Sequence, residues 1–206
     1  MTASHSDWTQ LLSRLNSAAV KRGALQAAGI PPEVRAAQWY GGLPASEADI
    51  KSAEERLGLT LPPSYRNFLK AANGWWHFDS SIYRVMSTTE ITWFRVAQPQ
   101  WFDTWMEGVE PRGEPSVPDE LYFDYEAASK HPIFRPEYLP DCLQISEVGD
   151  SAILLLNPRV VTDAGEWEVW FCATWAAGAY RYRSFRDLVQ ATIESEEQSM
   201  RESGRD

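Results

Sequence analysis

Hydrophobic residues recur along residues 45–74 with the period of two short amphipathic helices. The first pattern starts with a capping box, in which Ser46 and Asp49 each satisfy the other's backbone amide, and it stops at Gly58. The apolar residues that share one face of this helix are Ile50, Ala53 and Leu57. The sequence therefore predicts a helix of about three turns, ending at Leu57.

A second helical pattern begins at Pro62 and Pro63. Proline has no amide hydrogen, and it is tolerated in the first turn of a helix because amide hydrogens there form no hydrogen bond within the helix. It ends before Asn73 and Gly74, a pair that favours a helix end. Its apolar residues, three or four positions apart, are Tyr65, Phe68, Leu69 and Ala72. Two helices with one apolar face each need a surface to cover, so we predict that they pack on a larger domain.

After Gly74 the period of the hydrophobic pattern changes to that of strands. The continuous apolar run Ile153–Leu156 predicts a central strand buried on both faces, which Asn157-Pro158 is expected to end. The next strand, at residues 166–171, alternates between two faces. One face carries Trp167, Val169 and Phe171, and the other carries Glu166, Glu168 and Trp170.

Weaker patterns fill the rest of the chain. They predict helices at 7–22 and 101–106, a short helix at 33–40, a short strand at 82–86, a strand or helix at 88–96 and a loop at 108–118. Ser184 caps a final helix that is expected to run to Glu194. The remaining residues, 194–206, have no apolar face and should fray.

Together these patterns predict an α+β fold, in which a single, mainly antiparallel sheet is flanked by helices and carries an N-terminal helical extension. We expect residues 1–41 to form this extension and to pack on the main domain. Residues 42–193 then form the domain itself, and residues 194–206 form a frayed polar tail.

The two helical patterns follow the order I-x-x-x-E-x-x-L-G-x-x-L-P-x-x-Y-x-x-F-L-x-x-x-N-G, which resembles the opening of the SUKH superfamily of Smi/Knr-like proteins. The residues that carry this resemblance are Ile50, Glu54, Leu57, Gly58, Leu61, Pro62, Tyr65, Phe68, Leu69, Asn73 and Gly74. Residues 144–158 resemble the family's central strand pair, and residues 166–189 are similar to its closing strands and final helix. The resemblance spans residues 42–193.

Composition places the chain among packed globular proteins, because 44% of its 206 residues are hydrophobic. No segment approaches the roughly 18 consecutive apolar residues of a membrane span, and the N-terminus has no signal-peptide pattern, so we expect a cytoplasmic protein. Cys142 and Cys172 are too few for a disulfide framework and lack a C-x-x-C spacing, so buried thiols are expected.

The net charge of −10 is concentrated in residues 101–150, which hold twelve acids and three bases. The acids are Asp103, Glu107, Glu110, Glu114, Asp119, Glu120, Asp124, Glu126, Glu137, Asp141, Glu147 and Asp150. Such a surface repels a phosphate backbone and attracts a basic protein, so direct nucleic-acid binding is not expected. The alternative is that these acids only keep the protein soluble.

Two groups of tryptophans are candidates for the anchors of a protein interface. The bulky run 75–78 cannot face inward as a whole, so at least one of its side chains should line a surface groove. Trp101 and Trp105 would stack on one helical face beside acids, either as anchors or as a lid on the sheet. The predicted partner-binding residues are Trp75, Trp76, Trp101, Trp105, Glu107, Glu110, Asp119, Glu120 and Asp124.

Patterns typical of enzymes and metal sites are missing from the sequence. His5, His77 and His131 are scattered, and the G-x-S-x-G, G-x-x-x-x-G-K-[ST] and G-x-G-x-x-G patterns do not occur. We therefore expect neither catalysis nor a metal or cofactor. The resemblance implies a protein-binding role, either as an immunity protein that binds and neutralises a cognate toxin domain or as a Smi/Knr-type regulatory or scaffolding protein. The sequence leaves the oligomeric state open.

Overall fold

The computed structural model describes residues 5–23, 29–110, 114–128, 130–176 and 178–202. Residues 111–113 of the predicted loop and residues 203–206 of the predicted tail lie outside this part. The helices are α1 (His5–Lys21), α2 (Pro32–Ala37), α3 (Glu47–Leu57), α4 (Pro63–Ala71), α5 (Phe94–Ala97), α6 (Pro99–Met106), α7 (Asp119–Tyr122), α8 (Tyr125–Ala128), a 3₁₀ helix (Pro136–Asp141) and α9 (Phe185–Glu202). The strands are β1 (Trp75–Trp76), β2 (Arg84–Val85), β3 (Thr92–Trp93), β4 (Leu143–Gln144), β5 (Ala152–Val161), β6 (Trp167–Ala173) and β7 (Gly178–Tyr182).

The start and end signals of α3 act as the sequence predicts. The Ser46 hydroxyl accepts a hydrogen bond of 3.2 Å from the Asp49 amide, and the Asp49 carboxylate accepts one of 2.8 Å from the Ser46 amide. Gly58 ends the helix with a φ of 73°, a conformation that glycine adopts without the strain of a side chain. The predicted helix is therefore confirmed.

The main sheet is antiparallel, with the strand order β3-β4-β5-β6-β7. Leu155 of β5 pairs with Trp170 of β6, which in turn pairs with Arg181 of β7. Strands β1 and β2 form a separate two-stranded antiparallel sheet. The α+β class with an antiparallel sheet and an N-terminal helix is confirmed, and the small second sheet is an addition to it.

Each face of the main sheet has its own hydrophobic core. On one face, α1, α4 and α9 pack against one another, and the rings of Phe68 and Phe185 lie 4.8 Å apart between their centroids. On the other face, α5 and α6 cover a smaller core that contains Leu155 and Trp170. Residues Ile153–Leu156 are completely buried, as the continuous apolar run predicts.

The predicted end of the central strand at Asn157-Pro158 is wrong, because β5 continues to Val161. The pairing of β5 with β6 shifts register between Asn157 and Val161. Three residues of β5, Pro158 among them, lie between these two pairs without a partner in the register, and a proline, which has no amide hydrogen to donate, is tolerated there. A proline in an apolar run can therefore mark an irregularity in strand pairing as well as an end.

The predicted end of the last helix at Glu194 is also wrong, because α9 continues to Glu202. Arg14 of α1 donates to Glu197 at 2.9 Å, and Arg22, just after α1, forms an ion pair with Glu196. The end of α9 thus packs against α1 through charged side chains, and this contact does not produce an apolar pattern in the sequence.

Two smaller findings complete the description of the fold. Cys142 and Cys172 are free and buried, and burial raises the pKa of both thiols well above the usual value. Within the described residues, no helix combines the length and the apolar character needed to cross a membrane.

Candidate protein interface

Residues 101–110 and 114–128 form what we call the acidic layer, which covers the smaller core. Helix α6 contacts α5 and the 3₁₀ helix, and α8 contacts β7. The layer therefore lies on the sheet face opposite α1, α4 and α9. Within the described residues, its members Asp103, Glu107, Glu110, Glu114, Asp119, Glu120, Asp124 and Glu126 are all exposed.

Trp101 and Trp105 stack on one face of α6, as their spacing predicts. Their ring centroids lie 4.9 Å apart, and the Trp105 ring lies 5.5 Å from that of Phe134. Both side chains are partly buried and pack against the smaller core. The helix therefore lids the sheet, and each ring keeps some exposed surface.

The other predicted tryptophans lie away from the acidic layer, beside the larger core. Trp75 is completely buried and packs edge-on against Trp39, with 5.2 Å between the centroids of the two rings. Its burial contradicts the prediction that it contributes to a partner surface. Trp76 is partly buried, and the Arg84 guanidinium lies 4.8 Å from the centre of its ring. The structure thus does not bring the two tryptophan groups together.

Two of the predicted acids, Asp119 and Asp124, have a structural role. The Asp119 carboxylate pairs with Arg135, whose side chain is only 2% exposed and also donates to the carbonyl of Val117. Within the described residues, no ion pair involves Glu107, Glu110, Glu120 or Asp124. The Asp124 carboxylate accepts hydrogen bonds of 3.1 Å from the amides of Glu126 and Ala127 and so caps α8. The charge of these four acids is left for solvent or for a basic partner.

Two exposed apolar side chains lie among these acids, and the sequence analysis missed both. Leu121 is 59% exposed and Phe123 is 44% exposed, whereas Tyr122 between them is completely buried. The segment D-E-L-Y-F-D-Y-E held a weak signal: adjacent side chains of a helix point about 100° apart, so three consecutive bulky residues cannot all face the core. Aromatic side chains such as Phe123 are enriched in protein interfaces, and Leu121 adds apolar surface beside it.

Beneath the acidic layer, the buried carboxylate of Glu168 accepts five hydrogen bonds. Its Oε1 accepts from Arg181 Nη1 at 2.7 Å and from the Tyr125 hydroxyl at 2.8 Å. Its Oε2 accepts from the Tyr122 hydroxyl at 2.6 Å, the Trp170 indole at 2.6 Å and the Asn157 amide at 3.0 Å. A buried carboxylate needs such partners because it has lost its hydration.

This network ties the acidic layer to the sheet. Tyr122 ends α7 and Tyr125 begins α8, so their hydroxyls hold both short helices to a residue of β6. Burial, and then the charge of Glu168, raises the pKa of both tyrosines, which therefore remain hydrogen-bond donors. The Arg181 guanidinium lies 3.8 Å from the centre of the Tyr122 ring and adds a cation–π contact. The exposed Leu121 and Phe123 are thus held by a fixed support.

A comparison of the sequence with protein-family models places the chain in a known class of protein. A sequence model of the SMI1/KNR4 family (SUKH-1) matches residues 44–191, which is more than half of the chain. The chain therefore belongs to the SMI1/KNR4 family. No curated protein matches it at a significant level. Membership of this family is consistent with an immunity protein or a Smi/Knr-type module, and it suggests protein–protein interaction in general.

Proposed function

We propose that this protein is a non-enzymatic binding module that binds a basic protein partner through the acidic layer. In the more specific form of the proposal, it is a cytoplasmic immunity protein that neutralises a cognate toxin domain by covering it. The observation that carries the proposal is the exposed pair Leu121 and Phe123, held on a buried network and flanked in the chain by Glu120 and Asp124, which form no ion pair within the described residues. Family membership supports a protein-binding role without distinguishing the kinds of partner.

The acids and the apolar pair would contribute to binding in different ways. Exposed acids attract a basic partner from a distance and accelerate its encounter, an effect that salt weakens. Apolar anchors act once the partner has docked and mainly lengthen the lifetime of the complex. A regulatory or scaffolding protein would use the same surface, so binding alone does not decide between the two roles.

Affinity capture from the native cell with matched baits tests the proposal. A layer variant carries Glu107→Gln, Glu110→Gln, Glu120→Gln and Asp124→Asn, the last of which keeps a side-chain oxygen to cap α8. Asp119 is left unchanged because it neutralises the buried Arg135. A control variant carries Glu33→Gln, Glu55→Gln, Asp163→Asn and Glu194→Gln, which remove the same charge from exposed positions outside the layer.

We expect wild type and the control variant to capture one basic protein in stoichiometric amount, and the layer variant to lose it. Equal capture by all three baits, or no stoichiometric basic partner at all, would contradict the proposed interface. Co-expression with the captured protein then separates the two roles. A toxin is recognised by growth arrest that wild type relieves and the layer variant does not, whereas a regulatory partner causes no arrest.

A further inference from the structure

A pocket of about 240 Å³ opens on the sheet face opposite the acidic layer, between α9, strands β6 and β7 and the loop at residues 79–81. We call it the α9 pocket. Three aromatic side chains line it, together with Ala191 and two carboxylates. The aromatic residues are Phe171, Tyr180 and Tyr182, and the carboxylates are Asp79 and Glu196.

The aromatic wall follows from the sheet register. Phe171 of β6 pairs with Tyr180 of β7, and their ring centroids lie 6.2 Å apart. Tyr182 lies two residues along β7 and therefore on the same face. Rings arranged in this way offer apolar surface to an alkyl chain and an electron-rich face to a cation.

The carboxylate of Asp79 is fixed in place. Its Oδ1 accepts hydrogen bonds of 2.7 Å from the Ser81 amide and 2.6 Å from the Ile82 amide. Burial raises the pKa of Asp79, with a further contribution of the same sign from Glu196 and an opposing one from Arg22. A cation brought next to this carboxylate would compensate for the hydration that it has lost.

The nearby cation of the protein is already engaged. Arg22 forms an ion pair with Glu196 and donates to the carbonyl of His77 at 3.1 Å. Within the described residues, no ion pair involves Asp79. Because Arg22 and Glu196 neutralise each other, the ionised form of Asp79 adds one negative charge to the pocket that no ion pair within the described residues compensates.

We propose that the α9 pocket binds a protonated primary amine on an unbranched alkyl chain, with the ammonium group at Asp79 and the chain against Phe171, Tyr180 and Tyr182. A lysine side chain of a partner and a free diamine share this chemistry. The site is independent of the proposed interface, because it lies on the opposite face of the sheet and uses none of the acids of the layer.

Titration followed by ¹H–¹⁵N NMR tests the site directly, because the amides of Ser81 and Ile82 report on the Asp79 carboxylate. The probes are lysine blocked at both ends, 1,5-diaminopentane, and blocked norleucine as a neutral analogue of the blocked lysine. We expect at least one amine to shift both amides with saturation below about 10 mM, and norleucine to leave them unchanged. Tighter binding of the blocked lysine would identify a protein side chain as the ligand, and tighter binding of the diamine would identify a free polyamine.

Two variants and one control complete the experiment. Asp79→Asn keeps an oxygen for the two amides but removes the charge, and Ala191→Leu keeps the charge but fills the pocket. Asp79→Asn should weaken amine binding by about tenfold or more, the loss expected when a hydrogen bond to a charged group is removed. Ala191→Leu should weaken it by about the same factor or more, because its side chain occupies the space of the alkyl chain. Glu120→Gln, on the opposite face, should bind the amines as wild type does.

The proposal is overturned if neither amine shifts the two amides, if norleucine binds as well as lysine, or if both pocket variants bind like wild type. Ala191→Leu alone decides the matter if Asp79→Asn fails to fold. Because these titrations use no protein partner, their outcome does not depend on whether the acidic layer binds one.

Discussion

Glu168 and Arg181 form an ion pair of 2.7 Å in which both side chains are completely buried. They lie on the adjacent strands β6 and β7, on the face that the acidic layer covers. A buried ion pair stabilises little when compared with apolar residues, but the loss of one partner leaves the other charge without compensation. The loss of either charge should therefore destabilise the folded protein more than the loss of both charges together would suggest.

We expect Glu168→Leu and Arg181→Leu each to lower the free energy of unfolding by about 3–5 kcal/mol, because each leaves a buried charge. The double variant should lose less than the sum of the two, since it removes both charges. Urea unfolding of the four proteins gives the coupling energy. Additive losses would show that the two charges do not depend on each other.

A second prediction concerns the cores on the two faces of the sheet. Phe68→Ala on one face and Leu155→Ala on the other should each cost about 2–5 kcal/mol, because each opens a cavity in a completely buried cluster. Denaturant unfolding measures both losses. Glu55→Ala, at an exposed position of α3, is the control and should change stability by no more than about 0.5 kcal/mol. Losses below about 1 kcal/mol for both core variants would be inconsistent with this packing.

The sequence predicts best those features that depend on neighbouring residues. The capping box of Ser46 and Asp49 involves residues three apart, and both parts of it are present. The alternation of Val169 and Trp170 between two faces follows from strand geometry alone. Local rules of this kind were enough for the fold class.

The features that the sequence did not predict depend on residues distant along the chain. Glu168 is recognised as a network centre only when Tyr122 and Arg181 are known to be its neighbours. The register shift at Pro158 depends on the pairing with β6, and the end of α9 depends on charges from α1. The burial of Trp75 was not predicted, because the sequence does not show which of the four adjacent bulky residues at 75–78 faces inward.

A third prediction concerns pH and Asp79. Because burial raises the pKa of Asp79 in the folded protein, the folded state binds the proton of this carboxyl more strongly than the unfolded state does. The resulting stabilisation is fully present below the unfolded-state pKa of about 3.9 and is lost as the pH rises through the folded-state pKa. Asp79→Asn mimics the protonated form at every pH. Its Tm should therefore rise relative to that of wild type as the pH is raised from about 4 to about 7.

Thermal unfolding across this range checks the sign. Arg22, Glu196 and Tyr182 also face Asp79, so they are kept unchanged in both proteins. Asp163→Asn, at an exposed turn, is measured over the same range as the matched control for the removal of one carboxylate. The opposite result is a Tm of Asp79→Asn that falls relative to that of wild type as the pH rises. It would show that folding lowers the pKa of Asp79 instead of raising it.

The last prediction separates the acids of the layer from its apolar pair once the basic partner is available. The layer variant defined above should slow association by about tenfold or more at low salt and flatten its salt dependence, because it removes four charges that steer the encounter. Phe123→Ala should leave association nearly unchanged and speed dissociation by about tenfold or more, as expected for an interface anchor. Surface plasmon resonance at two salt concentrations measures both rates. Urea unfolding is the control. Trp105→Ala should lower the free energy of unfolding because Trp105 packs on the smaller core. Phe123→Ala should leave the free energy of unfolding unchanged because Phe123 is 44% exposed. If the folded layer variant associates at the wild-type rate at both salt concentrations, its four acids only keep the protein soluble. If Phe123→Ala also dissociates at the wild-type rate, the partner binds to another surface.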